Sequence, residues 1–310
     1  MIPAWVRSPW IGTAFLALAL GALAWGVGRS LTEIEQALAA LRAAPLIGGL
    51  ALLAYLGFVF ALGLIWRGLL ARCSRVWLTR AAALRVQSIA WSARYLPGKL
   101  GLVAAKVLLV PTDRVAATWA AAWEQVLFFV AGAVVIAACA AGSVGSAFSG
   151  MLPGAAPLAV LASMLVLLLV AVALAPRLDA LVGRLAGVAT TTVHPAAGEI
   201  AGWLLAFAAT HVLVGLSFYA LLVALGHGSA FSVVEAVGIL TAAHLGGILA
   251  IVAPAGLGVR EALLAGLLAP TLGTDTALAV ALVTRAGATL GDALFAPLAL
   301  LPGPRRLDAR

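Results

Sequence analysis

The sequence predicts an all-α polytopic membrane protein of about six transmembrane helices, with two oppositely oriented re-entrant helical hairpins arranged as an inverted repeat. Three observations predict it. Of 310 residues, 64% are hydrophobic and 10% are charged, which is more apolar surface than a soluble core could hide. Runs of about 20 apolar residues, the length that crosses ~30 Å of hydrocarbon, recur from end to end. Basic residues gather in alternate connections, as they do when those connections face the cytoplasm. A single integral membrane domain over 1–310 follows, without a soluble domain.

Spans are read at about 9–28, 46–66, 115–141, 157–175, 199–225 and 275–300. The run from Pro9 to Gly28 follows Arg7 but is long and lacks a small-x-small cleavage site, so it reads as a retained span and not a signal peptide. With the N terminus inside, the inner connections carry Arg67, Arg72, Arg75, Arg80, Arg114, Arg177 and Arg184, and the tail carries Arg305, Arg306 and Arg310. The outer loops hold only Arg29 and Arg42, and the loops at 142–156 and 226–232 contain no Lys or Arg. The expected location is the cell's inner membrane, with both termini cytoplasmic. Trp10, Trp25 and Trp66 fall near span ends, where an interfacial belt would place them. The net charge of +8 therefore marks a membrane face, and no nucleic-acid partner is expected.

Between spans, LTEIEQALAALR opens on Thr32-x-x-Glu35, a capping-box pattern, and sets Leu31, Ile34, Leu38 and Leu41 on one face. It reads as an amphipathic helix on the outer surface, as packing or as a lid. Cys73 and Cys139 lie on an inner segment and deep in a span, a placement that suits neither a disulfide nor a metal.

Two apolar stretches do not fit as crossings. Thr79–Pro111 and Val233–Pro270 are each broken in the middle by Pro and Gly, and each must return to its starting side. A full crossing over Val233–Ala253 would put the three-arginine tail outside, against the charge rule. The breaks resemble each other: YLPGKLGLVAAK at 95–106 and VAPAGLGVREAL at 252–263 share Pro-x-x-Leu-Gly, with Pro97, Leu100 and Gly101 matching Pro254, Leu257 and Gly258. By parity they enter from opposite faces, which divides the chain into halves of about 46–141 and 199–300 related as an inverted repeat. The expected hairpin tips are Pro97, Gly98 and Gly101, and Pro254, Gly256 and Gly258.

YLPGK with a basic residue seven positions on and a span bearing Glu124, then PAGLGVRE and a span bearing Arg285, resembles the membrane region of the lysylphosphatidylglycerol synthases, the flippase-like domain family. The resemblance covers roughly residues 10–300. Ala255 before Gly256 departs from the family's usual Gly-Gly-like tip. What the resemblance implies is lipid handling without lysine transfer, because it extends over the membrane region and not over an aminoacyl-transferase domain.

The residues point the same way. Polar backbone at membrane depth is tolerated where it lines a cavity or is buried in protein. Each tip starts a helix whose free N–H groups favour an anion. Around these tips fall Arg94, Lys99, Lys106, Arg260 and Arg285, against Glu124, Glu261 and Asp292, an excess of the sign and size of a phosphate-bearing headgroup. Arg260, Glu261, Arg285, Lys99, Lys106, Glu124 and Asp292 are the candidate substrate-binding residues, since intramembrane charges default to functional sites. Arg260 and Glu261 stand about 100° apart on a helix and need other partners. A structural network pairing Arg260 with Asp292 or Glu124, and Glu261 with Arg285, is the competing reading. Arg94 is expected to snorkel to the inner surface.

His211 and His244 lack ligand spacing, and Gly202, Gly215, Gly246 and Gly247 suit close helix approach. No nucleophile–base pair, Walker loop or dinucleotide fingerprint occurs in the sequence. No cofactor, metal or catalytic residue is expected. The expected function is that of a lipid flippase or transporter whose partner is an anionic membrane lipid, a phospholipid or a polyprenyl phosphate. The alternatives are a membrane transferase or accessory subunit that presents a lipid-linked donor to a membrane-enzyme partner, with Glu124 or Asp292 as base, and a non-catalytic scaffold.

Overall fold

The computed structural model describes residues 31–95, 100–142, 156–186, 192–250 and 256–303. Among them are ten α-helices and no strand. The span at 9–28 and the tip residues Pro97, Gly98, Lys99 and Pro254 lie outside the described residues. The protein is a polytopic α-helical membrane protein: five helices are long and apolar enough to cross a bilayer, at Pro45–Ser74, Arg114–Gly142, Leu161–Leu181, Gly198–Ala224 and Thr274–Leu300.

The helices are α1 (Leu31–Ala43), α2 (Pro45–Ser74), α3 (Arg80–Ala93), α4 (Leu100–Leu108), α5 (Arg114–Gly142), α6 (Ala156–Ala186), α7 (Ala197–Ala224), α8 (Val233–Leu249), α9 (Val259–Leu272) and α10 (Thr274–Phe295), followed by a 3₁₀ turn at Ala296–Leu300. Local chemistry sets their ends. Pro45 opens α2, where a missing N–H costs nothing, and Arg75 closes it in the left-handed region. The Thr79 hydroxyl accepts from Ala82 N at 3.1 Å to start α3, and Asp113 accepts from Ala116 N at 3.2 Å to start α5. Ser232 and Glu235 form a reciprocal box at the head of α8. Helix α1 already includes Leu31, so Thr32 stands inside its first turn and does not cap it. The same box pattern occurs two residues earlier, at Ser30-x-x-Glu33.

Helix α2 runs eight residues past the end of the span read at 46–66, and that extension changes the role of Trp66. It is fully buried in the core instead of standing at an interface. Helix α8 sits at the centre, packed by α5, α7 and α9, with ten of its 17 residues buried. Helix α6 packs on α5 and exposes Val166 and Leu169, as a lipid-facing helix does. Gly215 lets α7 meet α8 so closely that a Cβ there would come within 2.6 Å of Val237 Cα, whereas Gly202 faces open space and makes no close approach.

Helix lengths repeat. A long helix, two short ones and another long one occur twice: α2 to α5 with 30, 14, 9 and 29 residues, and α7 to α10 with 28, 17, 14 and 22. The four short helices fall below the ~20 residues a crossing needs, and within each set the two short helices pack on one another.

Candidate functional site

Residues flanking both breaks border one cavity. Arg94, just before the first break, and Leu102 and Val103, just after it, share a pocket of about 150 Å³ with Gly247 and Ile248 before the second break and Gly256 and Arg260 after it. Helices α5 and α10 complete the wall with Glu124, Gln125, Phe128 and Arg285.

The second break is held together through backbone. Gly256 has φ +70, and a Cβ on it would lie 2.8 Å from the Gly247 carbonyl oxygen. At Gly258, φ is +83, and Glu261 reaches back so that its Oε2 accepts from Gly258 N at 2.7 Å. Only glycine accepts such angles without strain. The turn therefore lies directly on α8 and directs α9, with Arg260 and Glu261 in its first turn, into the protein. Gly101 does the same for the first break, since a Cβ there would meet the Ala93 carbonyl.

Three carboxylates stand in or beside the cavity, and each is engaged. Both oxygens of Glu124 accept from Lys106 Nζ at 2.6 Å. Lys106 has no exposed surface and its ammonium lies 5.1 Å from the Trp66 ring centre, so it lines neither cavity. Asp292 receives Tyr55 OH at 2.7 Å and Trp91 Nε1 at 2.8 Å on one oxygen, and Tyr95 OH and the Arg94 guanidinium on the other. Arg94 is therefore a half-buried clamp turned onto Asp292 and stacked 3.9 Å from the Trp91 ring centre, and it does not snorkel. The third carboxylate, Glu261, places Oε1 3.6 Å from Arg285, whose guanidinium also stands 5.7 Å from the Tyr95 ring centre.

Arg260 differs. It is 7% exposed, and among the described residues no carboxylate lies within ion-pair distance of it. Of the two pairings read from sequence, Glu261 with Arg285 forms, and Arg260 with Asp292 or Glu124 does not. His244 also lines the cavity; its ring is edge-on to Phe58 and Phe128, and its buried Nδ1 has no hydrogen-bond partner. His211 bonds the Phe128 carbonyl at 3.0 Å and stays in the core.

A second cavity of about 900 Å³ adjoins the first and is almost wholly apolar, walled by Ile34, Leu38, Leu52, Leu221, Leu240 and Leu282 among others. Arg260 and Arg285 line both cavities. The amphipathic helix α1 lines this cavity with Ile34, Leu38 and Leu41 of its apolar stripe, while Leu31 stands outside it.

Of the seven residues read from sequence as a substrate site, Arg260, Arg285 and Glu124 line the cavity, Glu261, Lys106 and Asp292 stand behind its wall in contacts with other side chains, and Lys99 lies outside the described residues. Sequence reasoning missed Gln125 and the aromatic clamp on Asp292. The signal for the clamp was present in Tyr55, Trp91 and Tyr95, hydrogen-bonding aromatics within an apolar chain. The chain matches no family model, no curated protein and no solved structure.

Proposed function

We propose that this protein is a secondary transporter of the flippase type for a lipid with an anionic, phosphate-bearing headgroup. One observation carries the reading: Arg260, a buried guanidinium without a carboxylate partner, stands with Arg285 on the wall shared by a small cavity bordered by charged side chains and a large apolar one. A buried cation without a counter-charge is costly, and a phosphate would supply that charge through charge-assisted hydrogen bonds. The apolar cavity beside it suits the tails of the same molecule, a mostly apolar pocket with a few convergent polar groups.

The twice-repeated long–short–short–long order and the shared cavity between the breaks support two re-entrant hairpins in an inverted repeat, each hairpin tip bringing a helix N-terminus toward the midplane. Alternating access would follow from rocking one half against the other, in the inner membrane with both termini cytoplasmic. The family resemblance of the two Pro/Gly motifs points to the same lipid class. The transferase reading has less support, because Glu124 and Asp292 are both tied up by donors and neither is free to take a proton from a substrate.

The test is reconstitution of the purified protein in liposomes carrying fluorescent phosphatidylglycerol in one leaflet. Transport predicts protein-dependent loss of leaflet asymmetry with the lipid's mass unchanged. A mass change indicates a transferase, and retained asymmetry with wild-type protein removes the transporter reading.

A further inference from the structure

We infer that one face of α3 is the jaw of a gate, that the gate stands closed in this structure against the end of α10, and that Asp292 is its latch. The inference rests on the transporter reading above and adds how access to the same site is governed.

The sequence spaces the jaw by helical turns. Arg85, Ser88, Trp91 and Arg94 follow at intervals of three residues and so share one face of α3. Each is bonded to the end of α10 or to the 3₁₀ turn after it, in antiparallel order. Arg85 donates to the Leu301 carbonyl at 2.9 Å, Ser88 Oγ to the Ala296 carbonyl at 3.0 Å and Trp91 Nε1 to Asp292 at 2.8 Å. Arg94, with Tyr95 beside it, closes the row on the other oxygen of Asp292. Both cavities stop short of this row: on α10 their walls end at Leu290, and neither Arg85 nor Ser88 lines either one. The large cavity lies toward the opposite end of the molecule, between the start of α2 at Pro45 and the end of α7 at Leu221. Those two helices run antiparallel, with Ser217 bonded to the Ala51 carbonyl and Arg72 to Glu199, while α10 runs parallel to α2, with Asp292 at Tyr55 and Phe295 edge-on to Phe60. One end is thus hollow and the other is zipped.

The last rung of the row reaches the site. Arg94 lines the small cavity, and the Tyr95 ring is shared by the guanidinium groups of Arg94 and Arg285, 5.2 and 5.7 Å from its centre. An anion entering the cavity competes with Asp292 for Arg94, and the contact it draws off joins two charges, the strongest kind of bond in the row. Asp292 is not orphaned by that exchange, because Tyr55 and Trp91 stay on its first oxygen. The corresponding contact of the second half, α8 on α5, meets through apolar groups, where Gly132 leaves room for Leu245 and Gly142 for Val234. A ligand shifts an equilibrium only where it interacts differently with the two states, and the charge of an anion does so at the α3 seam.

The experiment uses the full-length protein in phosphatidylcholine nanodiscs, with Cys73 and Cys139 replaced by Ala and one reporter cysteine added. Ser88→Cys puts the reporter in the middle of the row, where the side chain is enclosed, and Ala243→Cys puts an equally enclosed one on α8. A gate predicts slow reaction of the Ser88→Cys thiol with N-ethylmaleimide. Arg85→Ala, which removes a bond from a charged donor, and Asp292→Asn, which removes the counter-charge of Arg94, should each speed it at least about tenfold, and added phosphatidylglycerol should speed it without either change. Ala243→Cys should stay slow throughout, and Arg85→Ala, which touches neither cavity, should bind fluorescent phosphatidylglycerol as the wild type does. Equal acceleration at both reporters marks a loosened fold, and no acceleration at Ser88→Cys marks a row that does not hold the seam; either overturns the inference. If Asp292→Asn does not fold, Arg85→Ala decides alone. A seam that Arg85→Ala opens but phosphatidylglycerol does not overturns the latch. Bridging Ser88→Cys to Ala296→Cys with a short bifunctional thiol reagent should stop lipid movement in liposomes while binding persists. Movement that continues through the bridge overturns the gate and leaves the transporter reading standing. Wild-type protein that moves no lipid overturns that reading instead, and the labelling rates still decide whether the seam opens.

Discussion

Arg285 is ion-paired 3.6 Å from Glu261, while Arg260, the neighbour of Glu261 in the chain, has no carboxylate to pair with among the described residues. Two arginines on one wall thus have different electrostatic situations. One is held by a carboxylate of the protein, and the other has none within ion-pair distance among the described residues.

The contrast separates two variants. Arg260→Ala removes a charge without orphaning a counter-charge, so the protein should fold and unfold at nearly the wild-type temperature, while affinity for fluorescent phosphatidylglycerol falls about ten- to a hundredfold, the loss of one charge-assisted bond worth roughly 1.5–3 kcal/mol. Unfolding of Arg260→Ala in detergent would instead mark Arg260 as a strut. Arg285→Lys should also weaken binding, since an ammonium cannot span Glu261 and a phosphate as the planar fork does.

Lys106 and Glu124 form a buried pair, and breaking it from one side should be severe. Lys106→Ala leaves Glu124 uncompensated and should cost about 3–5 kcal/mol, read as a lower unfolding temperature in detergent. Replacing both, Lys106→Met with Glu124→Leu, should restore most of that stability. If Lys106→Ala unfolds like the wild type, the pair is not closed in the membrane as described.

Gly256→Ala combines two penalties. The positive φ costs about 1–2 kcal/mol for an L-residue, and the new Cβ would sit 2.8 Å from the Gly247 carbonyl oxygen. Loss of lipid binding with the helices intact by circular dichroism is the expected result. Wild-type binding in this variant would show that the turn has room to spare.

The connection between α6 and α7 is tied down by His194, whose Nδ1 accepts from Trp123 Nε1 at 3.3 Å while its ring stands edge-on to Trp119 at 4.9 Å. Burial lowers its affinity for protons below the usual imidazole value, against the opposing pull of Asp179, whose carboxylate accepts from Trp119 at 2.9 Å. The bond needs an unprotonated Nδ1. Its contribution is present above the ordinary imidazole value of about 6.5 and is lost as pH falls through the lowered value. Hydrogen exchange at 192–196 should rise on acidification, and Trp123→Phe should abolish that step.

Orientation is testable with cysteines introduced at exposed positions. With Cys73 and Cys139 replaced by Ala, an impermeant maleimide added to intact cells should label Glu35→Cys on α1, and should label Arg80→Cys only after permeabilisation. The native Cys73 cannot serve as the reporter, because it is fully buried. Labelling of Arg80→Cys from outside would invert the topology.

The membrane fold was legible because crossings are written locally, in runs of apolar residues whose length the bilayer sets. The same holds for Arg260 and Glu261, whose charge stands out against an apolar background and whose preceding glycines announce a turn. The Asp292 clamp was not legible. Its donors Tyr55 and Trp91 lie 237 and 201 residues away in the chain, and no local pattern joins them. Arg94 looked like an interfacial residue for the same reason: its depth is set by where α3 packs, on the 3₁₀ turn after α10 and on α2, rather than by its neighbours in sequence. Trp66 was misplaced because hydropathy marks where apolar character ends, whereas α2 continues past that point into protein.

The turn at Gly256 presses backbone to backbone against α8, with no side chain between them to deform. Helix α9 is therefore geared to α8, and Arg260 travels with it. Since Arg260 lines both cavities together with Arg285 of α10, a displacement of α9 would alter the two cavities together. On the transport reading, that shared wall would couple room for a charged head to room for its hydrocarbon.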